Sequence, residues 1–177
     1  MKRFVLFFGL ILVALAGIFA AIGLSMSNTY RIERTLVING DRAAVHGFVG
    51  ELKNWDAWTP WKAMDPEMEI ILGDATSGVG ATQEWEDKTG GGRLVFFSSD
   101  VETGIAYDLY FADFPKVEAG MGYEAISENS TRVSWWMAGE IPLPVIGGFF
   151  ASSMEYQVGP MFDTGLQNLK EAVEASE

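Results

Sequence analysis

The sequence predicts an α+β protein in which a curved antiparallel sheet of about six to seven strands wraps around a long C-terminal helix, with a separate apolar helix at the N-terminus. Three observations support this prediction. The chain begins with a long apolar run, its middle part alternates apolar and polar residues, and a helical pattern returns near the C-terminus. Because no long helical pattern separates the strand candidates, neighbouring strands are expected to pair antiparallel.

The N-terminal helix is predicted from the run Phe4 to Leu24, which contains no charged or polar residue. A helix of this length spans about 31 Å, close to the thickness of the hydrocarbon layer of a membrane. The triplet Ala14-Leu15-Ala16 resembles a signal-peptidase site, but cleavage there would leave a strongly apolar new terminus. We therefore interpret residues 1–27 as a transmembrane anchor or uncleaved signal, the alternatives being a cleaved signal peptide and a buried core helix.

Residues 4–24 would then attach a folded domain, residues 28–177, to the membrane. Lys2 and Arg3 favour a cytoplasmic N-terminus, although two arginines stand close to the other end of the apolar run. We expect a single-pass membrane protein whose domain lies on the extracytoplasmic side.

The charge balance and the residue content exclude several classes of function. The chain has 12 lysine and arginine residues against 24 aspartate and glutamate residues, a formal net charge of −12. Such a surface repels phosphate backbones, so nucleic acid is not an expected partner. With no cysteine and one histidine, His46, the chain lacks thiol nucleophiles, cysteine-based metal sites and paired histidines. No metal or cofactor is predicted, and the sequence does not indicate an oligomeric state.

The domain begins with a strand pattern over residues 30–38, whose apolar face is interrupted by Arg34. Asn39 or Asp41 can cap the helix that follows, because short polar side chains accept hydrogen bonds from the free N–H groups at a helix start. This helix carries His46 at the border of one apolar stripe. The stripe consists of Ala44, Val45, Phe48, Val49 and Leu52.

The helix leads into the segment NWDAWTPW, which contains half of the tryptophans of the chain. Trp55 and Trp58 share a face if the segment begins as a helix, whereas Pro60 disfavours helix at Thr59 and separates Trp61. A flat carbohydrate platform is therefore disfavoured, and a membrane-interface belt is a second alternative. We predict that Trp55 and Trp58 are buried and close one end of the sheet, and that Trp61 borders the mouth of a cavity.

From residue 67 onward the apolar residues recur at every second position, the period of a strand. Turns rich in glycine and serine separate the strand candidates, which are EMEIILG, ATQEWED, RLVFFSSDV, IAYDLYFADF, KVEAGMGYEAI and TRVSWWMAGE. An irregular segment, IPLPVIGG, follows the last of them.

The C-terminal helix is predicted from one apolar stripe that lies opposite charged residues. The stripe consists of Phe162, Gly165, Leu166, Leu169, Ala172 and Val173. The helix can begin as early as Met154, in which case Gly159-Pro160 is a kink or a restart. Such a helix lying across the apolar face of the sheet would bury both surfaces and tends to leave an apolar cavity between them.

The order of these elements resembles the START-like helix-grip superfamily, SRPBCC, and in particular its polyketide cyclase/dehydrase and lipid-transport branch. The matching segments are VINGDRAAVHGFV, NWDAWTPW, MDPEMEI, GVGATQEWE, TRVSWWMAGE and GLQNLKEAVE, all within residues 30–175. The resemblance implies a helix-grip domain that binds a hydrophobic small molecule between sheet and helix. Some members are cyclases or hydrolases, but the superfamily has no common catalytic motif, so no catalytic residue is predicted.

The side chains that would point into such a cavity follow from the alternation along the strands. Trp135 and Met137 share one face of the last strand, and Met121 lies on the apolar face of the strand before it. Asp108 shares a strand face with Tyr110, and it would be partly buried if that face lined the cavity. The predicted ligand-binding residues are Trp61, Trp85, Tyr107, Asp108, Tyr110, Met121, Tyr123, Trp135 and Met137.

Three functions fit these patterns. The first is a membrane-tethered module that binds an apolar small molecule, lipid-like or polyketide-like, without catalysis. The second is an acid/base enzyme, namely a cyclase, dehydratase or hydrolase, that would use Asp108, Tyr107 or Tyr110. The third is an envelope interaction module whose interior is completely packed.

Overall fold

The computed structural model describes residues 2–88, 90–111 and 114–176. The helices are α1 (Lys2–Ser25), α2 (Arg42–Val49), α3 (Trp61–Met64) and α4 (Gly147–Ala175), with a 3-10 helix at Leu52–Ala57. The strands are β1 (Thr29–Ile38), β2 (Glu69–Leu72), β3 (Thr82–Asp87), β4 (Gly90–Asp100), β5 (Gly104–Phe111), β6 (Val117–Ser127) and β7 (Ser130–Glu140).

The seven strands form one antiparallel sheet with the order β1-β7-β6-β5-β4-β3-β2. Strands β2 to β7 follow one another as a meander, and β1 pairs with β7 at the edge, where Ile32 lies opposite Met137. The alternation in the sequence corresponds to alternating burial, since Val133, Trp135 and Met137 are buried while their neighbours on β7 are only partly so. The predicted α+β fold is confirmed. We call the buried side of the sheet its inner face.

Helix α2 and the segment after it close one end of the inner face. Asp41 caps α2, because its Oδ1 accepts a hydrogen bond from the Ala44 N–H at 2.7 Å. Val45 and Val49 form the buried stripe of this short helix. The tryptophan segment that follows is a 3-10 helix ending at Ala57 and not a continuation of the α-helix.

Helix α4 crosses the inner face and contacts the sheet mainly at β1. The central residues of its predicted stripe are all at most 2% exposed, namely Phe162, Leu166, Leu169 and Val173. The helix begins at Gly147, earlier than predicted, because the two glycines that end the irregular segment belong to its first turn. Pro160 lies inside the helix, which continues through it.

Arg34 is the polar residue that interrupts the apolar face of β1, and its partners lie on α4. Its guanidinium donates to Glu155 at 2.6 Å and to Asp163 at 3.2 Å, so α4 presents two carboxylates to one cation. Gly159 lies beneath the guanidinium, and a Cβ at this position would overlap it. The ion pairs therefore connect the first strand to the last helix beside the proline.

Helix α1 is apolar and almost entirely exposed, unlike the core helix that was one alternative. By length and composition, Leu6–Ser25 can cross a membrane. A signal sequence near an N-terminus has the same properties, so this observation does not separate the anchor from the cleaved signal.

Replacing Leu169 by alanine should lower the free energy of unfolding by about 2–5 kcal/mol, because truncating a fully buried leucine leaves a cavity. Lys170→Ala should change it by less than about 0.5 kcal/mol, since Lys170 forms a weak ion pair with Glu174 at the helix surface. Chemical denaturation of the purified protein measures both values. Equal effects at the two positions would show that α4 turns a different side toward the sheet.

Candidate functional site

Trp55 and Trp58 close one end of the inner face and lie in the core, with exposures of 4% and 0%. Each indole N–H donates to a backbone carbonyl of α2, Trp55 to Val49 at 2.8 Å and Trp58 to Phe48 at 3.3 Å. The two rings are 5.3 Å apart and tilted by 59°. This is interior packing with satisfied polar groups, so the predicted burial of both residues is confirmed.

Trp135 of β7 fills the space between the sheet and the C-terminal helix. Its ring stacks on Phe162 of α4, with centroids 4.0 Å apart and an interplanar angle of 4°. Its indole N–H donates to the Tyr107 hydroxyl at 3.0 Å. Gly165 permits this approach, because a Cβ there would lie 2.6 Å from the ring. At β7, the sheet and α4 therefore meet through the ring of Trp135.

Five of the nine predicted ligand-binding residues lie around this ring, four of them in the buried core cluster and one partly buried against it. Trp61 reaches it from α3 and is partly buried, with its ring 6.1 Å from that of Trp135. Burial raises the pKa of Tyr107, so its phenol stays neutral at physiological pH. The five are Trp61, Tyr107, Met121, Trp135 and Met137.

The inner face becomes uncovered toward the end of the sheet formed by β3, β4 and β5. Along β5, the exposure of inner-face residues rises from 3% at Tyr107 to 36% at Phe111. Trp85 of β3 is partly buried, and its ring meets that of Phe111 edge-on with centroids 5.6 Å apart. A Cβ on Gly92 would overlap the Trp85 ring, so the indole lies flat on the backbone of β4. Both aromatic side chains thus remain partly accessible at this end of the inner face.

A depression with a volume of about 720 Å³ opens at this end, which we call the open end of the sheet. Its apolar lining includes aromatic side chains from both faces of the sheet, and its rim is charged. The lining includes Trp85, Gly92, Arg93, Tyr110, Phe111 and Phe114.

Asp108 lies on the outer face, away from Tyr107, because consecutive strand residues point to opposite faces. The Lys116 ammonium lies 2.9 Å from one of its carboxylate oxygens, and the Tyr110 hydroxyl donates to the other at 3.3 Å. The hydrogen bond to Asp108 is the main cause that raises the pKa of Lys116. Asp108 and Tyr110 therefore meet on the outer face, whereas Tyr107 lies on the inner face. The three groups considered for acid/base chemistry do not form one site.

Tyr123, the remaining predicted residue, packs beside the single histidine. His46 Nδ1 lies 3.3 Å from the Tyr123 hydroxyl, and His46 Nε2 lies 3.4 Å from the Ser99 hydroxyl. Burial lowers the pKa of His46, an effect that the nearby Asp100 carboxylate opposes, and burial raises the pKa of Tyr123. The neutral imidazole of His46 thus lies between the hydroxyls of Tyr123 and Ser99.

Phe111, Gly92 and Phe114 at the open end are not among the ligand-binding residues predicted from the sequence. A signal for Phe111 was present, since alternation in IAYDLYF places it on the same strand face as Tyr107. Gly92 had no such signal, because its importance depends on which strand lies beside it. In the described part of the chain, no group of three or more histidine, aspartate or glutamate side chains is arranged to hold a metal ion.

No family model matches the chain, and no curated protein matches it by sequence. Solved structures match it over most of its length. A protein from Thermobifida fusca is 18% identical, with a TM-score of 0.65 over 83% of this chain and 95% of its own. A protein from Thermus thermophilus is 18% identical, with a TM-score of 0.62 over 83% of this chain and 99% of its own.

A third similar structure is norcoclaurine synthase from Thalictrum flavum, in complex with dopamine and hydroxybenzaldehyde. It is 12% identical, with a TM-score of 0.60 over 88% of this chain and 92% of its own. The chain has the helix-grip fold. At these identities the likeness concerns the helix-grip architecture and not the activity.

Gly165→Ala should destabilise the helix-grip core by about 1–3 kcal/mol, because the new methyl group collides with a Trp135 ring that Phe162 holds in place. This is opposite to the gain of about 0.5–1 kcal/mol that the same change brings inside an unconstrained helix. Gly47→Ala in α2 is the matched control and should be stabilising, since nothing lies within 4 Å of its Cβ. Denaturation curves give the sign of the change in the free energy of unfolding for both variants. A stabilising Gly165→Ala would contradict the close contact between Gly165 and the Trp135 ring.

The lowered pKa of His46 predicts that stability depends on pH near neutrality. In the unfolded chain the imidazole takes up a proton with a pKa of about 6.5, whereas the folded chain takes it up only at lower pH. The unfolded state therefore binds more protons in this window, so the free energy of unfolding should fall as pH decreases below about 6.5.

The His46→Gln variant provides the comparison, because His46 is the only histidine of the chain. Unfolding measured between about pH 5.5 and 7.5 should show a loss of stability toward acid in the wild type that the variant lacks. Identical pH profiles for the two proteins would mean that the imidazole is not buried in its neutral form.

Proposed function

We propose that this chain is a membrane-tethered member of the START-like superfamily that binds an apolar small molecule, lipid-like or polyketide-like, at the open end of its sheet. The observation that supports the proposal most strongly is the pair Trp85 and Phe111, whose rings meet edge-on at the less buried end of the inner face. Exposed aromatic surface beside a concave depression favours an apolar ligand, because burying it gains about 25 cal/mol per Å².

The packing favours the open end of the sheet as the binding position, and not the space between the sheet and α4, which we call the centre of the grip. The Trp135 ring occupies the centre, stacked on Phe162 at 4.0 Å, and a ligand there would have to displace it. At the open end, a flat ring could lie beside Trp85 where Gly92 has no side chain. Arg93 and Tyr110 at the rim would face any polar group of the ligand.

Binding without catalysis is favoured over the acid/base alternative. Tyr107 is buried and neutral, and Asp108 pairs with Lys116 on the outer face. The norcoclaurine synthase structure, which is that of an enzyme, contains dopamine and hydroxybenzaldehyde, so it supports the binding of small aromatic molecules by this fold and does not bear on the choice between binding and catalysis. The tether in this proposal is α1, with the domain on the extracytoplasmic side.

Native mass spectrometry of the full-length protein released from detergent tests the proposal. We expect a co-purified apolar adduct, or an adduct of added palmitate, whose occupancy falls in Trp85→Ala and Phe111→Ala. Phe97→Ala is the control, because Phe97 is an exposed aromatic residue of β4 that does not line the depression. Equal loss in the control, or no adduct with the wild type, would contradict the proposed site.

A further inference from the structure

The longest stretch of the domain without a charged residue runs from Ile141 to Met154. It comprises the connection between β7 and α4 and the first turns of α4. Three of its large apolar side chains are exposed, Leu143 at 36%, Ile146 at 40% and Phe150 at 50%. In a chain with a formal net charge of −12, a continuous uncharged apolar surface marks a contact site. We call residues 141–150 the apolar loop.

The apolar loop is packed against the last turns of α1. The ring of Phe149 is parallel to that of Phe19, with centroids 4.8 Å apart. Gly23 of α1 is buried against the carbonyl of Val145, and a Cβ at Gly23 would overlap that oxygen. Since only a glycine allows this approach, the position of the loop relative to α1 is set by direct contact.

This contact determines how deep the loop lies if α1 spans a bilayer. At a rise of about 1.5 Å per residue, Phe19 lies about 9 Å inside the end of the span at Ser25. Phe149 is stacked on Phe19 and must lie at the same depth. The apolar loop therefore cannot stay in water above a membrane that covers Leu6–Ser25.

Part of the loop backbone is suited to a medium that offers few hydrogen bonds. The N–H groups of Leu143, Ile146 and Gly147 donate to carbonyls within the loop at 2.7–2.8 Å. Pro142 and Pro144 have no N–H to satisfy. Internal satisfaction of backbone donors is what entry into the lipid boundary requires.

We infer that the apolar loop inserts into the interface of the same bilayer that α1 spans, with Leu143, Ile146 and Phe150 among the acyl chains. The inference rests on the proposed membrane tether. Its consequence is that the domain is fixed on the membrane at two points, α1 and the loop, and does not hang from the short segment between α1 and β1. An acidic domain meets lipid through its uncharged part, where no carboxylate has to leave water.

Single spin labels in the full-length protein can test this, because the chain contains no cysteine of its own. Leu143→Cys and Phe150→Cys, labelled and reconstituted in phosphatidylcholine vesicles, should show collisions with oxygen and a loss of collisions with a water-soluble nickel chelate. Ile126→Cys is the matched control, since it is exposed and lies near the β6–β7 turn, at the opposite end of β7 from the loop. Its label should collide with the nickel chelate.

A label at Leu12, in the middle of α1, separates this inference from the proposed tether. Lipid exposure at Leu12 together with nickel access at Leu143 and Phe150 would overturn the inference and leave the tether intact. Nickel access at Leu12 would overturn both. Protection of the loop labels from oxygen as well as nickel would indicate a protein contact, such as a second copy of the chain, and would also overturn lipid insertion.

Gly23→Leu tests whether the contact with α1 sets the depth of the loop. The larger side chain should push the loop labels toward water while the Leu12 label stays in lipid. Gly17→Leu is the control, because nothing lies within 4 Å of its Cβ, and it should leave the loop labels unchanged. Loop labels that keep their lipid exposure in Gly23→Leu would overturn this part of the inference.

Discussion

The ring of Trp135 sets the distance between the sheet and the C-terminal helix, and the rest of the domain is arranged around it. It stacks on Phe162 of α4, lies against Gly165, and donates to Tyr107 of β5. Its edge also meets Trp58 of the closing segment, with centroids 5.2 Å apart. The Trp135 side chain thus contacts the sheet, α4 and the closing segment. A change of packing in one of these three elements therefore strains the other two.

This packing bears on where the proposed ligand would bind. The large ring of Trp135 fills the space between the sheet and α4, whereas the inner face becomes more accessible along β5 toward Phe111. The proposed site is therefore the open end of the sheet, with a charged rim, and not a closed internal cavity. Binding there would not require the core to open, because Trp85, on the backbone of Gly92, is already partly accessible.

Much of the fold followed from periodicity, because side-chain alternation and helical stripes reflect which face is buried. The stripe on α4, the cap at Asp41 and the burial of Trp55 and Trp58 were all predictable in this way. The sequence could not show that the two glycines after Ile146 start a helix, since that depends on the close approach of Met26 and Asn28, which follow α1. It also placed Asp108 among possible cavity residues, because alternation defines two faces without saying which one faces the helix.

The six indole N–H groups of the chain offer the most direct test of the central claim that the ligand binds at the open end and not in the filled centre. Their signals in a ¹⁵N–¹H spectrum of the labelled protein, assigned by single Trp→Phe changes, can be followed while palmitate is added. We predict that the Trp85 signal shifts and that the signals of Trp58 and Trp135 keep their positions. The latter two should not move because the hydrogen bonds of these indoles to Phe48 and Tyr107 persist. Shifts at Trp58 and Trp135 with Trp85 unchanged would show that the ligand enters the centre of the grip, and would contradict the account.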